Sequence, residues 1–384
     1  MRTLFISHTY LDGNGGGVYA SRTHINLFAQ LSESMTLIYP CRDGKVAKHI
    51  SQKRIVMVPI EDHRSKICKF IDLLCGKVHR FKLDKHYYDS REYDVVVFDN
   101  SVVSSRLIKR FNKAGFMTIT IHHNYQIQYL MGDCSRLTLL PNLFWTWIYE
   151  GQAVRNSTLN ITLTNQDLDL LKKHYCSDKP FAVLGVFEYQ ACEPVNVSDE
   201  TRQHRYVITG GLGSKQTEDS LLKWLEVYYP LLMRVDPQAE LTIAGSNPSA
   251  KLTDAILVKG INLISSPADM GPILKNADYY LCPVDCGGGL KLRNMDGLKY
   301  GLPVLTHKVS LRGYEKMKDS GVMFSYNNPS EFIIGLKTMK LLRFDRKTIQ
   351  NIYKEQFNFD AGLASLKEIL SKSHILKGHN SRIN

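Results

Sequence analysis

Short apolar runs alternate with helix-period segments along nearly the whole chain, and that alternation leaves few folds open. Residues 3–7, 36–39, 55–58, 95–98 and 117–121 read as strands, with helical patterns at 18–31 and 101–114 between them. The run at 95–98 is continuously apolar, the signature of a strand covered on both faces. The alternation then repeats. Strands are expected at 206–209, 241–244, 261–264, 279–282, 304–306 and 322–324, with a helix at 217–235 and a short one at 267–276. Strands alternating with helices argue for parallel sheets flanked by helices. Residues 185–204 lose all period and gather Pro194, Asn196, Ser198 and Asp199, the composition of a linker. The reading is therefore α/β with two Rossmann-like parallel-sheet domains. Its boundaries are 1–184, a linker at 185–204, 205–358, and a terminal helix (359–371) with a polar tail in 359–384. A length of 384 residues suits two domains.

The stretch from Asp285 to Thr306 carries the chemistry. Gly287, Gly288 and Gly289 follow an apolar strand, and Leu292, Met295, Leu298 and Leu302 then recur at helical spacing. Gly301 and Pro303 stop the helix. Glycine lets a backbone approach a ligand closely, and the N–H groups of a first helical turn attract anions. Lys291 and Arg293 are read into that first turn, where cations are locally unfavourable unless an anion compensates them. Asp296, further along the helix, is placed to accept hydrogen bonds from sugar hydroxyls. The competing reading is a tight strand-to-helix turn with surface cations.

Composition narrows the partners. A formal charge of +12 favours nucleotide phosphates, acidic lipid headgroups or nucleic acid. No zinc-finger spacing, RNP-type motif or basic helix with a dimerisation heptad speaks for nucleic acid. The eight cysteines show no CxxC spacing, so reduced cytosolic thiols are expected and no metal site is assigned. No apolar run approaches the ~18 residues of a membrane span, and residues 1–7 are too short for a signal peptide.

Other segments have weaker signals. Gly13, Gly15, Gly16 and Gly17 form a loop after the first strand, where open α/β sheets bind ligands. The loop Gly210-Gly211-Leu212-Gly213-Ser214-Lys215 lacks the third glycine of a dinucleotide fingerprint, whose place is Gln216. His122, His123 and Asn124 end the strand at 117–121. Asp167 and Asp169 form an Asp-x-Asp, but residues two apart on a helix diverge and joint chelation is disfavoured. Thr164 or Asn165 caps that helix. Residues 64–83 form a cationic amphipathic helix, and 139–149 an aromatic one with Trp145 and Trp147. A covering helix with a solvated basic face and a buried helix are the favoured readings. The other reading is peripheral contact with an anionic membrane.

The run Gly287-Gly288-Gly289-Leu290-Lys291-Leu292-Arg293, then Asp296, then Gly301-Leu302-Pro303-Val304, resembles the donor-binding segment of retaining GT-B glycosyltransferases. His123-Asn124 and the segment 150–175 resemble the same family. The resemblance implies two domains facing a cleft and a C-terminal helix crossing back to the first. It implies transfer of a sugar, of hexosyltransferase type, from a nucleoside diphosphate donor to a saccharide or lipid-linked hydroxyl, with retention and without a metal. The work implied is surface polysaccharide synthesis in the cytoplasm, with peripheral placement on the inner membrane face as the other setting. Gly211, Lys215, Gly287, Gly288, Gly289, Leu290, Lys291 and Arg293 would hold the diphosphate. Asp296 would hold the ribose, and His123, with His122 in reserve beside Asn124, would steady the sugar and diphosphate. Gly16 and Gly17 would admit acceptor and phosphate. The sugar nucleotide is a substrate, and no cofactor is implied. Three positions depart from the family: Asp296 replaces the usual Glu, Gly288 stands at the place of a second Glu, and Gly211 at that of an Arg. Those departures leave two other readings open, a non-catalytic GT-B partner subunit and a GT-B nucleotide-sugar epimerase.

Overall fold

A computed structural model of the chain describes residues 1–42, 47–50, 54–62, 66–75, 83–89, 92–133, 136–190, 204–342, 344–373 and 375. The chain forms two compact units. One comprises Met1–Gln190, Gly288–Leu290 and Asn358–Asn384; the other comprises Ala191–Gly287 and Lys291–Phe357. Most of the expected linker, 191–203, lies outside the described residues.

The first unit is built on a seven-stranded sheet: β1 (Arg2–Ser7), β2 (Ser34–Cys41), β3 (Ile55–Glu61), β4 (Val95–Asp99), β5 (Met117–His122), β6 (Leu159–Thr162) and β7 (Phe181–Val183). All pairs are parallel, in the order β3-β2-β1-β4-β5-β6-β7. Its helices are α1 (Gly16–Leu31), α2 (Lys66–Leu74), α3 (His86–Asp89), α4 (Ser101–Lys113), α5 (Gln126–Asp133), α6 (Arg136–Asn156) and α7 (Asn165–Tyr175). Leu4, Ile6, Val96 and Phe98 from the sheet pack with Leu107, Ile108 and Phe111 of α4. Sheet order reverses between β1 and β4, and the register sets Ser7 beside Asp99 at their carboxyl ends.

The second unit repeats the plan with β8 (Arg205–Gly211), β9 (Glu240–Ser246), β10 (Asn262–Ser265), β11 (Tyr279–Cys282), β12 (Val304–His307) and β13 (Met323–Tyr326), all parallel, ordered β10-β9-β8-β11-β12-β13. Around them lie α8 (Lys215–Val227), α9 (Tyr229–Val235), α10 (Ala250–Leu257), α11 (Gly271–Lys275), α12 (Arg293–Lys299), a 3-10 turn (Lys308–Leu311), α13 (Glu315–Asp319), α14 (Pro329–Leu341) and α15 (Arg346–Phe357). Trp224, fully buried, centres a core with Ile208, Ile243 and Phe332. The final helix, α16 (Phe359–Lys372), is counted with the first unit and packs on α1. Phe187 lies so close to Gly362 that a Cβ there would meet its ring at 2.6 Å.

Four local expectations change. The single helix at 217–235 is two helices, because Pro230 lacks an N–H and its ring clashes with the preceding turn. The helix after the glycine run starts only at Arg293, so Lys291 precedes its first turn. The positive φ of Gly287 and Gly289 and the turn bond from Asn294 N–H to Lys291 O, 3.1 Å, delay it. On α2, Ile67, Ile71 and Leu74 are exposed rather than covered, and residues 76–82 of the expected cationic helix lie outside the described residues. On α6, Thr146, Tyr149 and Glu150 are buried while Leu140, Phe144 and Trp147 face solvent. Among the described residues, no helix is long and apolar enough to cross a membrane.

Candidate active site

In the second unit, sheet order reverses between β8 and β11, and ligands of open parallel sheets gather beyond the carboxyl ends at such a point. The glycine run follows β11 there. Gly287 has φ 84°, a backbone conformation that residues with a Cβ rarely adopt, and a Cβ on it would press on the carboxamide end of Gln216. Its carbonyl accepts a hydrogen bond from Arg312 Nη1 at 3.0 Å. The Arg293 guanidinium lies against Gly210, where a Cβ would come within 2.9 Å of Arg293 Cζ. Arg293 Nη2 donates to Thr217 Oγ1 at 2.9 Å, while Nη1 is buried with no hydrogen-bond partner. A buried guanidinium N–H without an acceptor is costly, and an anion would satisfy it. Burial first, and the charges of Arg293 and Arg312 next, lower Lys291 to about 8. Three cations thus converge on one loop.

The other candidates of this unit are placed differently. Gly211 ends β8, exposed, and carries no cation; the guanidinium beside this strand end belongs to Arg293. Lys215 opens α8 at the surface and pairs with Asp219 at 2.6 Å. Asp296 is half-buried on α12, where Thr209 Oγ1 donates to it over 3.5 Å. Thr209 Oγ1 also shares a hydrogen bond of 2.8 Å with Tyr280 Oη. Burial chiefly, then the Asp296 charge, pushes the Tyr280 hydroxyl well above its ordinary range.

The first unit brings its own cluster to the β1/β4 reversal. His123, just past β5, shares a hydrogen bond of 2.5 Å through Nε2 with Asp99 Oδ1. Ser7 donates to Asp99 Oδ2 at 2.8 Å, so the fully buried carboxylate is well satisfied. Burial opposes both charges, yet each partner's field outweighs it: Asp99 is held below the usual carboxylate range and His123 is raised. Among His24, His122 and His123, His123 is the one whose charged form its partner favours. His24 and His122 are each lowered to about 4, mainly by burial and also by the His123 charge. His122 Nε2 pairs with Asn160 Oδ1 at 2.9 Å, which gives it a structural post. Asn124 Oδ1 is buried without a partner. Gly289, with φ 71°, and Gly288 are counted with this unit; a Cβ on Gly289 would lie 2.9 Å from the His123 carbonyl oxygen. Leu290 closes the run, half-buried. Gly16 and Gly17 open α1, exposed, with free space around the position of a Cβ on Gly17.

Two carboxylates fasten the loop after His123. Asp167 Oδ1 accepts the Tyr125 N–H at 2.9 Å, and Oδ2 accepts Thr164 Oγ1 at 2.5 Å. Glu150 accepts the Gln126 N–H at 3.1 Å and the Tyr175 hydroxyl at 3.0 Å. Thr164, not Asn165, caps α7. Asp167 is buried and Asp169 exposed, so the Asp-x-Asp faces two ways. Among the described residues no group of three His, Cys, Asp or Glu is placed to hold a metal. Sequence reasoning did not single out Asp99, Glu150 or Arg312. Asp99 ends an apolar run and Glu150 sits mid-helix, and neither position carries a local signal.

No family profile matches the chain. An uncharacterized 44.6 kDa protein in the cps region of Klebsiella pneumoniae is 21% identical over 299 residues, 69% of this chain and 75% of that protein. A glycosyltransferase from Rickettsia africae ESF-5 superposes with a TM-score of 0.66 at 12% identity, over 98% of each chain. The lipopolysaccharide outer core galactosyltransferase WaaB gives 0.63 at 12% identity, over 97% of this chain and 99% of that one. Anabaena Alr3699/HepE, solved with UDP and glucose, gives 0.61 at 11% identity, over 97% and 100%. At such low identity the likeness speaks to architecture. The chain has the GT-B glycosyltransferase fold.

Proposed function

We propose that this chain is a glycosyltransferase, moving a sugar from a nucleoside diphosphate donor to a hydroxyl of a saccharide or lipid-linked saccharide in surface polysaccharide synthesis. The observation that carries the reading is the cationic loop of the second unit. Lys291, Arg293 and Arg312 converge on a glycine run whose Gly287 has a positive φ that favours glycine, and one buried guanidinium N–H lacks an acceptor. Glycosyl transfer builds negative charge on the departing diphosphate. Fixed cations and N–H donors aimed at that charge lower the barrier without reorganising. Asp296 would take the ribose hydroxyls, and His123, whose charged form Asp99 favours, would donate a hydrogen bond to substrate. Retention and independence of a metal belong to the same proposal. The complexes of Alr3699/HepE with UDP and glucose, and the cps-region location of the Klebsiella relative, support the donor class and the pathway.

A thermal-shift panel of nucleoside diphosphates tests it first, since a ligand that binds only the folded state raises the melting temperature. Stabilisation by one base, lost in Lys291→Ala, is expected. Donor turnover with candidate acceptors then separates the readings. Binding without turnover would favour a non-catalytic subunit, and an inverted sugar centre formed without acceptor would favour an epimerase. Proton NMR of the product anomer reads retention, and turnover in excess EDTA reads the metal requirement.

A further inference from the structure

A cavity of about 600 Å³ lies in the first unit, away from the glycine-rich start of α1. That volume is in the range of small-molecule sites. Asn26 and Gln30 line it from α1. At 1.5 Å per residue they stand roughly 14 and 20 Å along the helix from Gly17. His49 and Arg54 line it from the connection between β2 and β3, Tyr189 and Gln190 from the chain after β7, and Phe359 from the start of α16. Among the described residues that line it, none is acidic and none belongs to the candidate active site. Hydrogen bonds fix the wall. Asn26, only 7% exposed, donates through Nδ2 to the His49 carbonyl oxygen at 3.0 Å. Gln190 Nε2 donates to His49 Nδ1 at 2.9 Å. A ring nitrogen that accepts leaves the proton on the other, so His49 offers Nε2 as a donor. The Tyr189 ring is held against Tyr19, with centroids 4.7 Å apart. His49 and Arg54 both take left-handed backbone, with φ 57° and 67°. For residues with a Cβ such a conformation is uncommon, and it collects at ligand clamps.

A guanidinium, an imidazole donor, three amides and an aromatic ring, with no carboxylate beside them, suit a ligand that is both hydroxylated and negative. The guanidinium fork matches a phosphate or a carboxylate. Amides pair with hydroxyls as donor and as acceptor. Tyr189 adds an apolar face with a polar tip. We infer that this cavity is a second binding site, separate from the cationic loop, for a saccharide that carries a phosphate or a carboxylate. A neutral sugar would not use the Arg54 charge, and a bare anion would not use the amides and the Tyr189 ring. Tyr189 and Gln190 stand where the chain leaves the first unit and Phe359 where it returns, so such a ligand would touch both passages. The inference does not rest on glycosyl transfer, because binding is read without turnover.

Thermal shift and calorimetry on the full chain test it, with glucose 6-phosphate, glucuronate, glucose and inorganic phosphate as probes. At least one anionic sugar should raise the melting temperature and bind about tenfold or more tightly than glucose or phosphate, since hydrogen bonds to a charged group outweigh neutral ones. Which of the two binds separates a phosphate ligand from a carboxylate one. Arg54→Asn removes the guanidinium and keeps a residue that tolerates left-handed backbone, so it should weaken binding about tenfold or more. Gln30→Trp, at an exposed position of α1, should fill the cavity and abolish binding. An unchanged melting temperature without ligand establishes that each variant remains folded. Lys291→Ala should bind the anionic sugar as the wild type does, which sets the cavity apart from the candidate active site. Four results would each overturn the proposal: a wild type that binds neither anionic sugar, binding intact in both folded cavity variants, inorganic phosphate bound as tightly as the sugar, or binding lost in Lys291→Ala.

Discussion

Glu150 gives a prediction whose size follows from the structure. Its carboxyl is wholly buried on α6. Burial raises it from 4.5 to about 8, against the pull of the Gln126 N–H and the Tyr175 hydroxyl, with Asp167 adding to the rise. A carboxyl raised on folding binds its proton more tightly in the folded state. Folding stability therefore falls as pH rises from 4.5 towards 8 and levels off above it. At about 1.4 kcal/mol per pH unit, the interval from 4.5 to about 8 corresponds to roughly 5 kcal/mol. Glu150→Gln removes the titration and keeps one acceptor for the Gln126 N–H, while the Tyr175 hydroxyl can rotate. The variant should match the wild type near pH 5, or fall about 1 kcal/mol below it for an imperfect hydrogen bond. By pH 8.5 it should be more stable by about 3–5 kcal/mol. Urea unfolding of the full chain between pH 5 and 9, followed by tryptophan fluorescence, measures both curves. Parallel curves over that range would refute the argument, because they would mean that Glu150 titrates alike folded and unfolded.

Three further outcomes are expected. Lys291, lowered to about 8, should lose its charge as pH rises through that value, so nucleoside diphosphate affinity should fall roughly tenfold between pH 7 and 9.5; calorimetry should find Lys291→Ala weaker and flat across the range. Asp99→Asn leaves burial unopposed at His123, so the midpoint of the histidine-dependent limb in the pH–rate profile should move down, with kcat reduced more than KM is raised. Gly301→Ala should destabilise the chain by about 2–5 kcal/mol, because φ is 69° and the new Cβ would lie 2.3 Å from the Arg346 carbonyl oxygen; an unchanged melting temperature would contradict that contact.

Much of the fold was legible because the signals are local. The run at 95–98 is apolar enough to name a doubly covered strand, and β4 adds only Asp99. Gly301 and Pro303 stop α12 as read, whereas Pro230 was a visible breaker passed over within a long apolar pattern. The cations of the glycine loop were legible at Lys291 and Arg293. Arg312 was not, because it reaches Gly287 from 25 residues away in sequence. Asp99 was hidden for the same kind of reason: only the parallel pairing of β1, β4 and β5 brings it to Ser7 and His123. Leu140, Phe144 and Trp147 recur at four- and three-residue spacing, which looks the same whether that face meets a core or, as here, solvent.

The return of α16 to α1 has a consequence for biosynthesis. Residues up to Gln190 leave the ribosome first, yet the α1 surface they present is completed only by a helix beginning at Phe359. At roughly 5–20 residues per second, translation of the intervening stretch takes about ten to thirty seconds. For that time the part of the α1 surface that α16 covers stays open, with Phe187 waiting for Gly362. A chaperone that shields exposed apolar surface during elongation would act on this chain earlier than on one whose domains close in order of synthesis.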